Sequence, residues 1–339
     1  MKVVVIGNVG PGSASWSTEN DLIATLRSMG HEVVPMPERG AHAPDSYELA
    51  RERVDAADLI LWVSTPGNVT DGSLLARALT ESKTPKIGMH LDLYRGLARE
   101  AMALASPFFK CDIVFTADGG APAGWWEARG INHRWSPPGV LESSCYLAKP
   151  DLDRFPHEVV FVGSSGGYHG EHSWRRRMLE ILHDRYRDRF ATYDHGWKAD
   201  RNGGDGIENK MRGHNLNVLY ASAKVVVGDS CFAGRPEYSR YVSDRLFEAG
   251  GRGALQAFPS IAGVTIEPEP LMKHREHLLV FPACDEGTMI PLIDYALEMA
   301  EDERTAMRER SVAHVLAGHT YRHRIEAAID AMRADGFLR

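Results

Sequence analysis

Val159-Val160-Phe161-Val162-Gly163-Ser164-Ser165-Gly166-Gly167-Tyr168-His169-Gly170 is a short apolar run followed by a loop of small residues, and a segment of helical spacing follows from about Ser173 to Tyr186. A run this short and apolar at every position is the pattern of a strand buried on both faces of a parallel sheet, with glycine letting the chain turn into the returning helix. The N-terminus repeats the arrangement, since Met1-Lys2-Val3-Val4-Val5-Ile6 leads into Gly7-Asn8-Val9-Gly10-Pro11-Gly12 and then a helical segment. Two such beginnings, one at the start of the chain and one near its middle, predict two α/β halves in succession.

Outward from the first beginning, strands are expected at Val3–Ile6, Val33–Met36, Leu59–Val63, Ile87–Met89 and Ile113–Phe115, with helices at Asp21–Met29, Ser46–Ala56, Gly72–Glu81 and Leu97–Leu104 between them. The alternation stops in a proline- and glycine-rich stretch from Ser136 to Pro156, read as the linker. It resumes with strands near 159–163, 190–193, 224–227, 254–257 and 278–281, then helices near Pro291–Ala300 and Asp302–Leu316, a break at Gly318 and a last helix at Tyr321–Met332. The expected domains are therefore 1–150 and 151–318, with 319–339 as a terminal helical segment.

The bulk composition narrows the class. The 339 residues are 43% hydrophobic and 25% charged, with no apolar run long enough to span a bilayer. The N-terminal run reaches glycine too soon for a signal-peptide core, so a cytoplasmic location is expected. Cys111, Cys145, Cys231 and Cys284 are far apart and form no CxxC pair, which argues against a zinc knuckle or a disulfide framework. A net charge of -7 disfavours a dedicated nucleic-acid binder.

In open parallel sheets ligands bind beyond the carboxyl ends of the strands, so the loops there carry the candidate chemistry. Gly163, Ser164 and Ser165 leave backbone N–H groups uncovered beside a helix start, a site for a diphosphate; a plain glycine loop is the alternative. The loop after the first strand has Val9 where a dinucleotide fingerprint needs glycine, which argues against NAD there. His90 and Asp92 follow the fourth strand, where either could serve as general base to an acceptor hydroxyl; helix capping by Asp92 and packing of His90 are the structural alternatives. Arg175-Arg176-Arg177 reads as a solvated helix face, and Asp151-Leu152-Asp153 as linker charge. Trp125, Trp126 and Trp135 fit either packing or ring stacking, and 200–217 reads as a loop or lid. No HExxH motif occurs and no metal is expected.

The last hundred residues carry a family resemblance. Asp244-Arg245-Leu246-Phe247-Glu248, Gly250-Gly251, His277-Leu278-Leu279-Val280-Phe281, Asp285-Glu286 and His319-Thr320-Tyr321-Arg322, in this order, resemble the C-terminal half of GT-B glycosyltransferases, nearest the CgeB-like type of glycosyltransferase group 1. The resemblance implies two Rossmann-like domains facing a cleft, a final helix crossing back to the first domain, and metal-independent transfer from a nucleotide-sugar donor. It implies that Glu248 holds the donor ribose, and that Arg245, Arg235 and the loop of Gly163, Ser164 and Ser165 neutralise the diphosphate. Gly250 and Gly251 would belong to the same donor site, and Asp92 or His90 would handle the acceptor.

In one respect the chain departs from the family. Many group 1 enzymes have a glutamate eight positions before the ribose glutamate; here that position is Arg240, which leaves the sugar contact to another residue such as Glu237 or Asp229. The acceptor stays open among a glycan, a protein, a small metabolite and a hydroxymethylated DNA base. An NAD(P)-dependent oxidoreductase, a two-domain binding protein and a non-catalytic GT-B-like assembly protein are the rival readings. No cofactor is expected beyond the nucleotide sugar as substrate.

Overall fold

A computed structural model of the chain describes all residues except 10–16, 39–42, 65–72, 92–99, 121–123, 164–172, 194–212, 231–239 and 268. Its contacts divide into two compact units, Met1–Leu141 with Thr320–Arg339, and Glu142–His319. In the first, β1 (Lys2–Gly7), α1 (Thr18–Ser28), β2 (Glu32–Pro37), α2 (Tyr47–Asp55), β3 (Leu59–Ser64), α3 (Leu74–Glu81), β4 (Lys86–His90), α4 (Glu100–Leu104), β5 (Ile113–Thr116) and β6 (His133–Trp135) alternate along the chain. The second contains β7 (Val159–Val162), α5 (Ser173–Tyr186), β8 (Phe190–Tyr193), α6 (His214–Ser222), β9 (Val225–Val227), α7 (Arg245–Gly251), β10 (Gln256–Pro259), β11 (Leu279–Phe281), α8 (Glu286–Glu298) and α9 (Glu301–Gly318). The last helix, α10 (Tyr321–Ala334), belongs to the first unit.

All strand pairs are parallel. The first sheet runs β2-β1-β3-β4-β5-β6 and the second β11-β10-β9-β7-β8. Counted within its own unit, the second sheet repeats the order of the first five strands of the first. In both, the chain reverses direction of travel across the sheet between the first strand and the third, which is where open α/β sheets leave a crevice.

Burial follows from the parallel topology, because every crossover lays a helix on one face of a sheet. In the first unit Val4, Ile6, Ile60 and Trp62 face α2 and α3, while Val3, Val5, Leu59 and Leu61 face Leu22 and Leu26 of α1 together with Ile325, Ile329 and Met332 of α10. In the second, Val159 and Phe161 face α5 and α8, and Val160 and Val226 face α6. Serine caps start three helices: Ser17, Ser46 and Ser73 accept from the backbone N–H three residues on, at 3.2–3.3 Å. Buried arginines close others, Arg304 donating to Ala296 O and Met299 O at the end of α8, and Arg308 to Tyr220 O at 3.4 Å near the end of α6.

The start of α10 is seated on residues 137–140 of its own unit. Tyr321 N–H donates to Val140 O at 3.0 Å, and the half-buried Arg324 donates to Pro137 O at 2.7 Å. Gly139 lies so close that a Cβ there would sit 2.7 Å from Tyr321 N. Residues 142–150, placed by sequence with the first half, pack within the second unit: Asn217 donates to Ser144 O and Tyr146 O at 2.9 and 3.0 Å.

Other differences from the sequence expectation are local. α8 starts five residues before Pro291, on an Asp285 cap that accepts from Thr288 N–H at 3.2 Å. β10 begins at Gln256 rather than at 254, and α6 occupies 214–217, part of the segment read as a loop.

Two predictions follow from this packing. Ile329→Ala, which empties a buried site between α10 and the first sheet, is expected to lower unfolding stability by about 2–5 kcal/mol in urea titration. Acid sensitivity should come from two histidines held neutral by burial, which pushes both His133 and His277 from 6.5 down to about 4. The unfolded chain takes up those protons first, so their contribution is complete above about pH 6.5 and is lost as pH falls through about 4. Thermal unfolding across that window is expected to show a falling Tm, with a shallower fall in His277→Gln.

Candidate donor site at the reversal point of the second sheet

The carboxyl ends of β7 and β9 flank the reversal in the second sheet, and four residues meet there. Gly163 directly follows β7 with φ +147°, a conformation that favours glycine. Arg245, the first residue of α7, lays its guanidinium against it: a Cβ on Gly163 would lie 2.7 Å from Arg245 Cζ. Arg245 Nη1 donates to Val162 O, the last carbonyl of β7. The glycine thus leaves the space that the arginine fills, and a cation is held at the mouth of the sheet.

Asp229, two residues after β9, lies beside it. Its Oδ2 accepts from Arg175 Nε at 2.8 Å, and both side chains are almost wholly buried, 1% and 4% exposed. Arg175 comes from the first turn of α5, its guanidinium carbon 5.7 Å from the centre of the Phe161 ring. Burial pushes the Asp229 carboxyl up, against the pull of Arg175 and, more weakly, of Arg245. Two arginines therefore stand around one carboxylate, leaving the cluster a net positive charge when all three are ionised.

The sequence reading placed Arg175 among solvated arginines, which the structure corrects. Arg176 and Arg177 fit that description, both exposed; Arg177 is 58% exposed and reaches Glu180 at 3.9 Å and Glu286 at 3.4 Å. Arg175 stands about one turn before the buried Met178, on the face of α5 that packs against the second sheet. What could have flagged it is the Asp229 that follows a buried strand.

The other expected donor residues divide. Glu248 and Arg245 do not form the surface pair that their spacing allows; Glu248 Oε1 is 3.5 Å from Arg252 Nε within the unit, and its side chain is 13% exposed. Arg252 in turn donates to Asn217 Oδ1 at 2.7 Å and Gly213 O at 3.1 Å. Gly250 and Gly251 are buried at the end of α7. At Gly250 a Cβ would meet Ser311 Oγ of α9 at 2.7 Å, so this glycine permits close helix packing. Ser164, Ser165 and Arg235 lie outside the described residues.

In the first unit His90 ends β4, 5% exposed, its ring stacked 6.0 Å from Phe109 and edge-on to Phe108 at 5.5 Å. Asp92 lies outside the described residues. Gly7 ends β1 at the reversal of the first sheet, where a Cβ would be 2.9 Å from Val63 O. Among the described residues no group of three or more His, Cys, Asp or Glu side chains converges as a metal site would.

Asp229→Asn is expected to leave Arg175 as a buried cation without its counter-charge. Urea titration should then show a loss of about 3–5 kcal/mol, whereas Glu180→Gln at the solvated pair should change stability by less than about 1 kcal/mol.

Comparison with known proteins places this geometry. Residues 171–330 match the family model described as Glycosyl transferase-like. No curated protein sequence matches the chain. Among solved structures, an alpha-glucosyltransferase in complex with UDP and a 13-mer DNA containing a HMU base superposes with a TM-score of 0.68 at 11% identity, over 98% of this chain and 99% of that one. A trehalose-6-phosphate structure from E. coli bound with UDP-2-fluoro glucose gives 0.54 at 10% identity, over 98% and 99%. An alpha,alpha-trehalose-phosphate synthase (UDP-forming) from Burkholderia vietnamiensis gives 0.54 at 13%, over 96% of each chain. The two parallel sheets and the return of α10 to the first unit give this chain the GT-B fold of those structures, and its residues 171–330 are similar to the glycosyl transferase-like family.

Proposed function

We propose that this chain transfers a sugar from a nucleoside-diphosphate donor, with UDP as the carrier, to a hydroxyl-bearing acceptor. The observation that carries the reading is the seating of Arg245, within the segment similar to the glycosyl transferase-like family, against Gly163 at the carboxyl end of β7. Support for UDP comes from the ligands of the structural neighbours. Within the broader family, the run Asp244 to Gly251 and the positions of His277 and Asp285 favour the CgeB-like type.

In this reading the acceptor oxygen forms a bond to the anomeric carbon while the bond from that carbon to the β-phosphate oxygen breaks, and the electron pair leaves with UDP. Negative charge grows on the diphosphate as the bond lengthens. A guanidinium fixed in place before the reaction stabilises that charge more in the transition state than in the ground state, since no reorganisation is needed. Arg245 takes this role, helped by the loop of Gly163, Ser164 and Ser165 and by Arg235. Glu248 is assigned to the ribose, for which its carboxylate must turn from Arg252. The acceptor proton is assigned to Asp92, because the imidazole of His90 is packed against Phe108 and Phe109.

We further propose that arginine charge replaces a metal ion here, so that transfer survives EDTA. A cytoplasmic location belongs to the same reading and is supported by free thiols at Cys111, Cys145 and Cys284. No helix among the described residues is long and apolar enough to cross a membrane.

Calorimetric titration with UDP and UDP-sugars, with NAD as control, tests the proposal. Saturable UDP binding is expected, weakened about 10- to 100-fold in Arg245→Ala as a charge-assisted contact of about 1.5–3 kcal/mol is lost. A response to NAD alone would move the chain to the oxidoreductases.

A further inference from the structure

The first sheet also carries a charged side chain at its reversal, and its sign is opposite to that in the second. Gly7 ends β1 beside β3, and Glu19, in the first turn of α1, lies across it: a Cβ on Gly7 would come within 2.9 Å of Glu19 Cγ and 3.7 Å of its Oε1. The second sheet sets Arg245 against Gly163 in the same manner. We propose that Glu19 binds the acceptor, its carboxylate taking a hydrogen bond from a hydroxyl of an uncharged polyhydroxylated molecule. That this molecule is the acceptor rests on the glycosyltransferase reading; that the carboxylate binds an uncharged polyol does not.

The state of the carboxylate carries the proposal. Glu19 is only 7% exposed, and it has no hydrogen bond or ion pair among the described residues. Neither of its oxygens is sealed from solvent, so a ligand beyond the end of β1 can reach them. A carboxylate buried to this degree is ordinarily paired, because its desolvation is costly otherwise. Its neighbour Glu38, just after β2, shows the ordinary case, with Oε1 accepting from Trp62 Nε1 at 2.5 Å and its N–H donating to Gly7 O at 3.1 Å.

The needs of α1 do not account for Glu19. Ser17 caps the helix, its Oγ accepting from Asn20 N–H at 3.3 Å. An acidic side chain in the first turn also favours the helix dipole, but Asp21 supplies that charge from a half-buried position in the same turn. Burying a second carboxylate over the glycine that ends β1 adds nothing to the helix. It does place an acceptor of hydrogen bonds where open parallel sheets bind their ligands.

Chemistry selects the ligand class. An ionised carboxylate has only lone pairs to offer, so it holds donors such as hydroxyls and repels phosphate. No cation among the described residues offsets that repulsion, since none pairs with Glu19. The acidic reversal of the first sheet therefore suits a neutral polyol, as the basic reversal of the second suits a diphosphate.

Saturation-transfer NMR and calorimetry on the full chain, with and without UDP, test this. Glucose, maltose and trehalose are the probes, with glucose 6-phosphate and a single-stranded oligonucleotide as charged rivals. At least one neutral sugar is expected to bind saturably, and about tenfold more weakly in Glu19→Gln, where a charge-assisted hydrogen bond becomes a neutral one. Glucose 6-phosphate should bind more weakly than glucose to the wild type, and the gap should narrow in Glu19→Gln, a change of selectivity that a structural glutamate would not produce. UDP affinity should be unchanged in the variant. Its urea midpoint should hold or rise, as when a binding group that costs stability is removed. Absence of neutral-sugar binding to the wild type, equal sugar binding in Glu19→Gln, preference for either charged rival, or a lowered urea midpoint with selectivity unchanged would each overturn the assignment. Sugar binding that depends on Glu19 in a chain that binds no UDP would instead remove the glycosyltransferase reading and leave the polyol site standing.

Discussion

A sheet made only of parallel strands has no face to spare for water. Each strand must be followed by a crossover, each crossover lays a helix on a face, and the polar groups of the unit are driven to the strand ends. Both sheets here obey that constraint, and both reverse their order between the first strand and the third. At the reversal, neighbouring loops diverge to opposite faces and leave room beyond the carboxyl ends. The second unit fills that place with Gly163, Asp229 and two arginines delivered by the starts of α5 and α7.

The two arginines are held by different means, and the means suggest different jobs. Arg175 is bonded to a buried carboxylate; such a pair is held by geometry, and its value lies in fixing a position rather than in net stability. Arg245 is half-buried and bonds a strand carbonyl in a gap that only glycine leaves. A guanidinium carries five donors, so one bond to Val162 O leaves others for an anion. Asp229 limits the positive charge of the cluster, which under the proposed transfer suits a site that releases a diphosphate as well as holds it.

Much of this was legible in the residues. The strands could be placed within two or three positions because burial on both faces leaves few polar residues to confuse the pattern, as in Val159–Val162 and Val3–Ile6. The helix after Ser46 is legible at its true start, whereas the one capped by Asp285 reads five residues late, because Pro291 inside it has the look of a helix start. Arg175 was not legible, since what buries it is Asp229, 54 positions away, and helical periodicity alone gives a charged residue to solvent. The role of Gly250 was hidden for the same reason, because its neighbour Ser311 sits on α9. β6, three residues long at a sheet edge and only half-buried, is too short and too polar to register as a strand.

The most direct measurement is a crystal structure of the chain with UDP bound. The diphosphate is predicted beyond the carboxyl ends of β7 and β9, within hydrogen-bonding distance of Arg245, with the Arg175–Asp229 pair intact behind it. Nucleotide seated instead at the Gly7 end of β1, or bound in the second unit away from Arg245, would contradict the assignment of the donor site.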